Sequence, residues 1–158
     1  MPDHPQSQEN AAIGRQRLMA VLAGATSAEI RRGLARLSDP PEPSELRRPE
    51  TGLVMLRGRI AGQGARFNLG EATVTRASVR LPSGEVGASY LFGRDAERAR
   101  LAAFVDALWQ REDYRAAVEA HILAPLRERQ AAERQAKAAR TAATKVDFFT
   151  LVRGEDET

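Results

Sequence analysis

The chain has 158 residues and no cysteine. That absence excludes a disulfide scaffold, a thiolate nucleophile, an iron–sulfur cluster and any cysteine-based zinc site. It is compatible with a reducing cytosol, and a cytoplasmic location is the expectation. Histidine is nearly as scarce. His4 and His121 are too few and too far apart in the chain to suggest a metal site. No apolar run approaches the ~18 residues of a membrane span. The opening MPDHPQSQEN lacks the apolar stretch of a secretory signal. The expectation is therefore a soluble protein with no membrane association.

The familiar chemical motifs are missing as well. There is no GxxxxGK[ST] phosphate loop, no GxGxxG after a strand, no HExxH and no GxSxG. GRIAGQG, residues 58–64, has the glycines of a phosphate cradle but no helix after it, and reads better as a hairpin turn. Without a nucleophile, a ligand set or an acid–base pair, a complete active site within this chain is not expected.

What is present is charge, mixed in sign. All but two of the 24 basic residues are arginines, Lys137 and Lys145 being the exceptions, and they face 21 acids for a net charge of +3. A basic protein suggests nucleic acid. Here the arginines are scattered among acids and lack interleaved aromatics, so a mixed solvated surface is the preferred reading. A nucleic-acid-binding or other small interaction module with a basic surface stays as the alternative.

The chain reads as an α+β fold: an N-terminal helix pair, a three- to four-stranded antiparallel sheet, and two C-terminal helices that run into a long alanine-rich arm and an apolar tail. Residues 1–8 are expected to be disordered, 9–125 to form the domain, and 126–158 to form the arm and a partner-docking tail. A first helix covers 9–24, with Ile13, Leu18, Val21 and Leu22 near one face. Thr26 caps a second, and Glu29 stands three residues on, as a capping box requires. Ile30, Leu34 and Leu37 recur along it at helical spacing. DPPEP, 39–43, stops it, and 39–51 read as an extended connector.

The period then changes to two. In LVMLRGRI, 53–60, Val54, Leu56 and Ile60 share one side, while Leu53, Met55, Arg57 and Arg59 share the other. AGQG, 61–64, is a turn. The next strand contains FNLGEATVTR, 67–76, and runs on to Leu81; PSGE turns the chain, and VGASYLF, 86–92, returns. A fourth short strand near 66–70 is left open. Apolar parity flips near Thr75 and Arg76, which predicts a bulge or bend there. Gly70 predicts a kink or a close backbone approach.

A third helix spans 95–111 behind Asp95, with Leu101, Phe104, Val105, Leu108 and Trp109 as its core stripe. A fourth begins near Asp113 and carries Tyr114, Val118, Ile122 and Leu126, with His121 beside that stripe. Pro125 kinks or restarts the helix. Residues 126–144 are helical by propensity but nearly free of large apolar side chains. Ala132, Ala136, Ala139 and Ala143 form a small-residue row suited to close helix contact. The last segment, KVDFFTLVRGEDET, gathers Val146, Phe148, Phe149, Leu151 and Val152, a cluster that needs cover, either by folding back or by docking on another protein.

Two sets of candidate site residues follow. Arg57, Arg59, Asn68, Glu71 and Arg76 lie in the strand region as a salt-bridged sheet surface or as the lining of an anionic-ligand pocket near a shared subunit surface, because the guanidinium fork suits phosphate. Val146, Phe148, Phe149, Leu151 and Val152 are the candidate docking residues. No catalytic or metal-binding residue is assigned.

Three blocks, RPETGLVMLRGRIAGQGARFNLGEATVTRASVRL, VGASYLFGRD and KVDFFTLVRGED, carry a resemblance in the right order. Through them the chain resembles the PhnG family, small subunits of the bacterial carbon–phosphorus lyase core complex, from about Arg15 to the C-terminus. The resemblance implies phosphonate catabolism. It implies partners of the PhnH, PhnI and PhnJ types and an ATPase-like PhnL subunit. It implies support for transfer of ribose 5-triphosphate from ATP to methylphosphonate with release of adenine. ATP and methylphosphonate would be substrates of the complex, the nucleosidase-like chemistry would belong to PhnI, and this chain would hold no cofactor of its own. Its part would be that of an accessory or assembly subunit.

Overall fold

The computed structural model describes residues 5–144. It opens with a helix, α1, Pro5–Ala23. This begins four residues earlier than the sequence suggested, so residues 5–8, expected to be disordered, belong to the helix; proline is well suited to a first helical position because its missing N–H would have no partner there. Helix α2, Ser27–Leu34, starts on the expected capping box: Thr26 accepts from the Glu29 N–H, and the Glu29 carboxylate accepts from the Thr26 N–H and hydroxyl. Ile30 and Leu34 point into the core and Leu37 follows them.

Three antiparallel strands follow in the order β1-β2-β3. They are β1, Ser44–Gly58, β2, Phe67–Arg80, and β3, Val86–Phe92. Strand β1 takes in most of the stretch read as a connector, because Ser44 to Glu50 already pair with Arg80 to Arg76. The strand ends at Gly58, so Arg59 and Ile60 do not continue its alternation; Ile60–Gly62 form a 3-10 turn instead. The sheet has three strands among the described residues, and the segment near 66–70 belongs to β2.

Helix α3, Ala96–Gln110, lies across one face of this sheet, and Asp95 caps it by accepting from the Arg98 N–H at 2.8 Å. Of the expected stripe, Leu101, Val105 and Leu108 are buried, while Phe104 and Trp109 are only partly covered. The closest packing comes from small residues that the stripe omits. Ala99, Ala102, Ala103 and Ala107 are fully buried, and at Gly87 a Cβ would press on the Ala103 carbonyl oxygen and sit 2.6 Å from the Ala107 nitrogen. Strand and helix backbones touch there, which only glycine permits.

The irregularity expected near Thr75 and Arg76 is present but lies on the partner strand: pairing of β2 with β3 is unbroken there, while the β1 register slips between Arg47 and Glu50, opposite Ser78 to Arg76. Thr75 sits in the same row as Ala77, Val79 and Leu81, and all four are buried. The parity flip was a threonine standing in a core position. Its hydroxyl donates to the Gly93 carbonyl at 2.7 Å and lies 3.1 Å from the Thr51 hydroxyl, so burial leaves no unpaired group. A further kink is at Gly70, as expected there. Its φ is +148°, and the register slips between Leu56/Gly70 and Arg57/Asn68, leaving Leu69 as the extra residue.

Helix α4, Glu112–Val118, passes into a π-helical turn, Glu119–Leu123, before α5, Ala124–Ala143. Pro125 explains the turn: it has no N–H to offer the His121 carbonyl, and the Ala124 N–H reaches back to Glu119 instead. Val118, Ile122, Leu123 and Leu126 reach the core; His121 is exposed. Leu126 is the last buried residue of α5, and the row Ala132, Ala136, Ala139 and Ala143 is solvent-exposed.

Candidate subunit interface

Strand β3 stops pairing at Val74↔Phe92, but β1 and β2 continue to Gly58↔Phe67. Beyond the three-stranded sheet they form a two-stranded ribbon about 20 Å long at the usual rise per residue. Alternation and register place Leu53 and Met55 on one side, opposite Thr73 and Glu71, and Val54 and Leu56 on the other, opposite Ala72 and Gly70. The bulge turns Leu69 to this second side: its Cδ1 lies 2.6 Å from where a Cβ on Gly58 would be. Leu53 and Leu69 are 61% and 62% exposed, and Met55, Leu56, Ile60 and Phe67 are exposed with them. Tyr90 and Phe92 extend the apolar surface onto the outer face of the sheet, with Phe92 63% exposed. Among the described residues large apolar side chains are bare on both sides of this ribbon, which makes it marginal by itself.

The sequence-derived polar candidates divide between two places. Arg57 and Asn68 are register partners near the ribbon's end, Arg59 follows directly, and Glu71 faces Met55. Arg76 lies eight residues from Asn68, roughly 26 Å along β2. The expected ion pairs of Glu71 are not made among the described residues. Arg76 instead bridges to Glu50 at 3.1 Å, and Glu50 also binds Arg47 at 3.0 Å. Hydrogen bonds from Arg47 and Arg76 hold the Glu50 carboxyl below its ordinary range. Arg57, Arg59 and the unanticipated Arg66 form no ion pair with any described residue, so the tip of the ribbon is cationic.

Sequence reasoning missed a second feature. A cleft of about 540 Å³ between α1 and the sheet is lined by Arg15, Met19, Arg47, Arg76 and Tyr90, among others. Asp106, 2% exposed, closes its inner end. Its carboxylate accepts from Arg15 Nε at 2.9 Å and Nη2 at 2.6 Å, and from the Ala88 N–H at 2.9 Å. The hydrogen bond to Asp106 raises the Arg15 pKa. Arg15 and Asp106 stand 91 residues apart, beyond the reach of any spacing argument; the one signal was an acid inside the apolar face of the third helix. The trio ties α1 to the free edge of β3 and is structural.

The docking candidates Val146, Phe148, Phe149, Leu151 and Val152 lie outside the described residues. Among the described residues no group of three histidine or carboxylate side chains could hold a metal ion, and no helix is long and apolar enough to cross a membrane.

The family model described as "Phosphonate metabolism protein PhnG" matches residues 13–154. The curated protein "Alpha-D-ribose 1-methylphosphonate 5-triphosphate synthase subunit PhnG" of Rhizobium meliloti (strain 1021) is 51% identical over 157 residues, covering 99% of this chain and 100% of the relative. A match of that extent runs through every element described above, the bare ribbon included, and the chain belongs to the PhnG family of phosphonate metabolism proteins.

Proposed function

We propose that this chain is a subunit of an α-D-ribose 1-methylphosphonate 5-triphosphate synthase in phosphonate catabolism and that its role is assembly rather than catalysis. The observation that carries the reading is the end-to-end 51% identity to a protein named as that subunit. The complex transfers ribose 5-triphosphate from ATP to methylphosphonate and releases adenine. This chain supplies surfaces to partners of the PhnH, PhnI and PhnJ types and to the ATPase-like PhnL subunit, in the cytoplasm and with no cofactor of its own. The ribbon, bare and apolar on both sides, supports that role. Arg57, Arg59, Asn68 and Glu71 border a shared subunit surface at the ribbon, with Arg76 on the sheet, and the segment 146–158 is a second assembly element.

Co-expression with the other synthase subunits, followed by mass measurement of the purified assembly, tests the reading. This chain is expected in the assembly in fixed stoichiometry, with little or no turnover of ATP when purified alone. An assembly of full mass and activity that forms without it would overturn the reading. Recovery of the intact complex after deletion of residues 146–158 would reject the tail's part. Unchanged assembly and phosphonate-dependent growth after neutralising Arg57, Arg59, Glu71 and Arg76 would reject the polar surface.

A further inference from the structure

We infer that the ribbon formed by residues 53–73 is inserted into a cleft of another protein, which grips it on both sides, rather than laid by one side on a flat surface. The inference rests on the subunit reading above and deepens it. Three observations carry it. First, β1 and β2 outrun β3 and the helices, so no described residue outside the ribbon pairs with it beyond Val74↔Phe92. Second, both sides carry large exposed apolar side chains: Leu53 and Met55 on one, beside Thr73 and Glu71, and Leu56 and Leu69 on the other, each exposed by more than a third of its surface. A ribbon that docked by one side would keep polar side chains on the other, as sheets with one solvated face do. Third, Arg57, Arg59 and Arg66 at the tip have no carboxylate partner among the described residues, whereas Arg47 and Arg76 nearer the sheet share Glu50.

The occupant that fits is a different polypeptide with an apolar-walled slot whose carboxylates meet the three arginines. A second copy of this ribbon does not fit, because it would set arginine against arginine, and like charges in an interface disfavour the pairing. The bulge at Leu69 contributes to the shape. By turning Leu69 over Gly58 it thickens one side near the tip, so that the ribbon enters its slot in one orientation.

Two double variants of the full chain test this, each co-expressed with the remaining synthase subunits. Leu53→Glu with Met55→Glu changes one side; Leu56→Glu with Leu69→Glu changes the other. Circular dichroism and thermal midpoint of each isolated variant check that the domain is intact. Each variant is expected to enter the assembly at least tenfold less than wild type. Normal incorporation of either would overturn the two-sided grip while leaving the subunit reading in place; failure of the wild-type chain to enter would instead sink that reading. A measurement that needs no disruptive change is a photo-crosslinking amino acid at position 53 and, separately, at 56. Crosslinks from both positions to a partner subunit are expected. Crosslinks from one position only, or to a second copy of this chain, would overturn the inference.

Discussion

Replacing Asp106 by alanine should destabilise the domain by about 3 kcal/mol. The carboxylate is 2% exposed and accepts three hydrogen bonds. Without it the Ala88 N–H loses its only partner against α3, at a cost of roughly 1–3 kcal/mol. The Arg15 head group, 39% exposed, can turn to water, so its own loss is smaller. What α1 loses is its charged anchor to β3, and breaking a buried pair costs about 3–5 kcal/mol in general. The lower end applies here because only one member is fully buried. For a domain of this size ~3 kcal/mol lowers the thermal midpoint by roughly 6–12 °C. Asp106→Asn keeps an acceptor for Ala88 and should cost about half as much. Urea unfolding of wild type, both Asp106 variants, Arg15→Ala and the Arg15→Ala/Asp106→Ala double variant gives the coupling directly. A loss below about 1 kcal/mol for Asp106→Ala, with no coupling to Arg15, would refute the view that this trio fastens α1 to the sheet.

The remaining predictions concern backbone contact and acid stability. Gly87→Ala should cost about 3 kcal/mol or more, because its methyl meets the α3 backbone, which cannot yield as a flexible side chain would; a melting temperature within a few degrees of wild type would contradict that contact. Glu29 is pushed up by burial, but hydrogen bonds from the Thr26 N–H and hydroxyl, with Arg129 and Arg32 nearby, bring it net below the ordinary 4.5. Its contribution is therefore complete above about that pH and is lost as pH falls through the lower folded value. Glu29→Gln should cost about 1 kcal/mol at pH 7, and the difference from wild type should vanish in acid, as denaturant unfolding at a series of pH values would record. Glu119 follows the same sign: burial raises it, while Arg127 and the Trp109 N–H lower it further. Glu119→Gln should likewise lose its effect at low pH.

Local signals were legible because they act over three or four residues. The Thr26/Glu29 capping box, the Asp95 cap, the turn at 82–85 and the three-stranded meander all follow from neighbours in the chain. The glycine at 70 announced its kink, since its φ of +148° is one that other residues rarely adopt. The same reasoning found an irregularity near Thr75 and Arg76 but not that its extra residue belongs to β1, between Arg47 and Glu50, and it took Thr75 for a change of face, because a buried threonine looks polar until its hydroxyl has found the Gly93 carbonyl. It also read 39–51 as a connector: β1 there is charged and exposed, and only pairing with β2 makes it a strand. Of the candidate site, the apolar-to-cationic drift of 53–59 was visible in sequence. That both sides stay bare was not, since it depends on where β3 and the helices stop.

Composition and local pattern alone determined that the fold needs no cysteine, that helices flank a meander, and that the chain lacks the usual catalytic motifs. These are properties of residue type and short-range spacing. Tertiary structure alone decided that alanines rather than large apolar residues bring α3 onto the sheet, that Asp106 reaches Arg15 across 91 positions, and that β1 and β2 extend past β3 and the described helices. Each depends on the lengths and distances of elements far apart in the chain, which no local window contains.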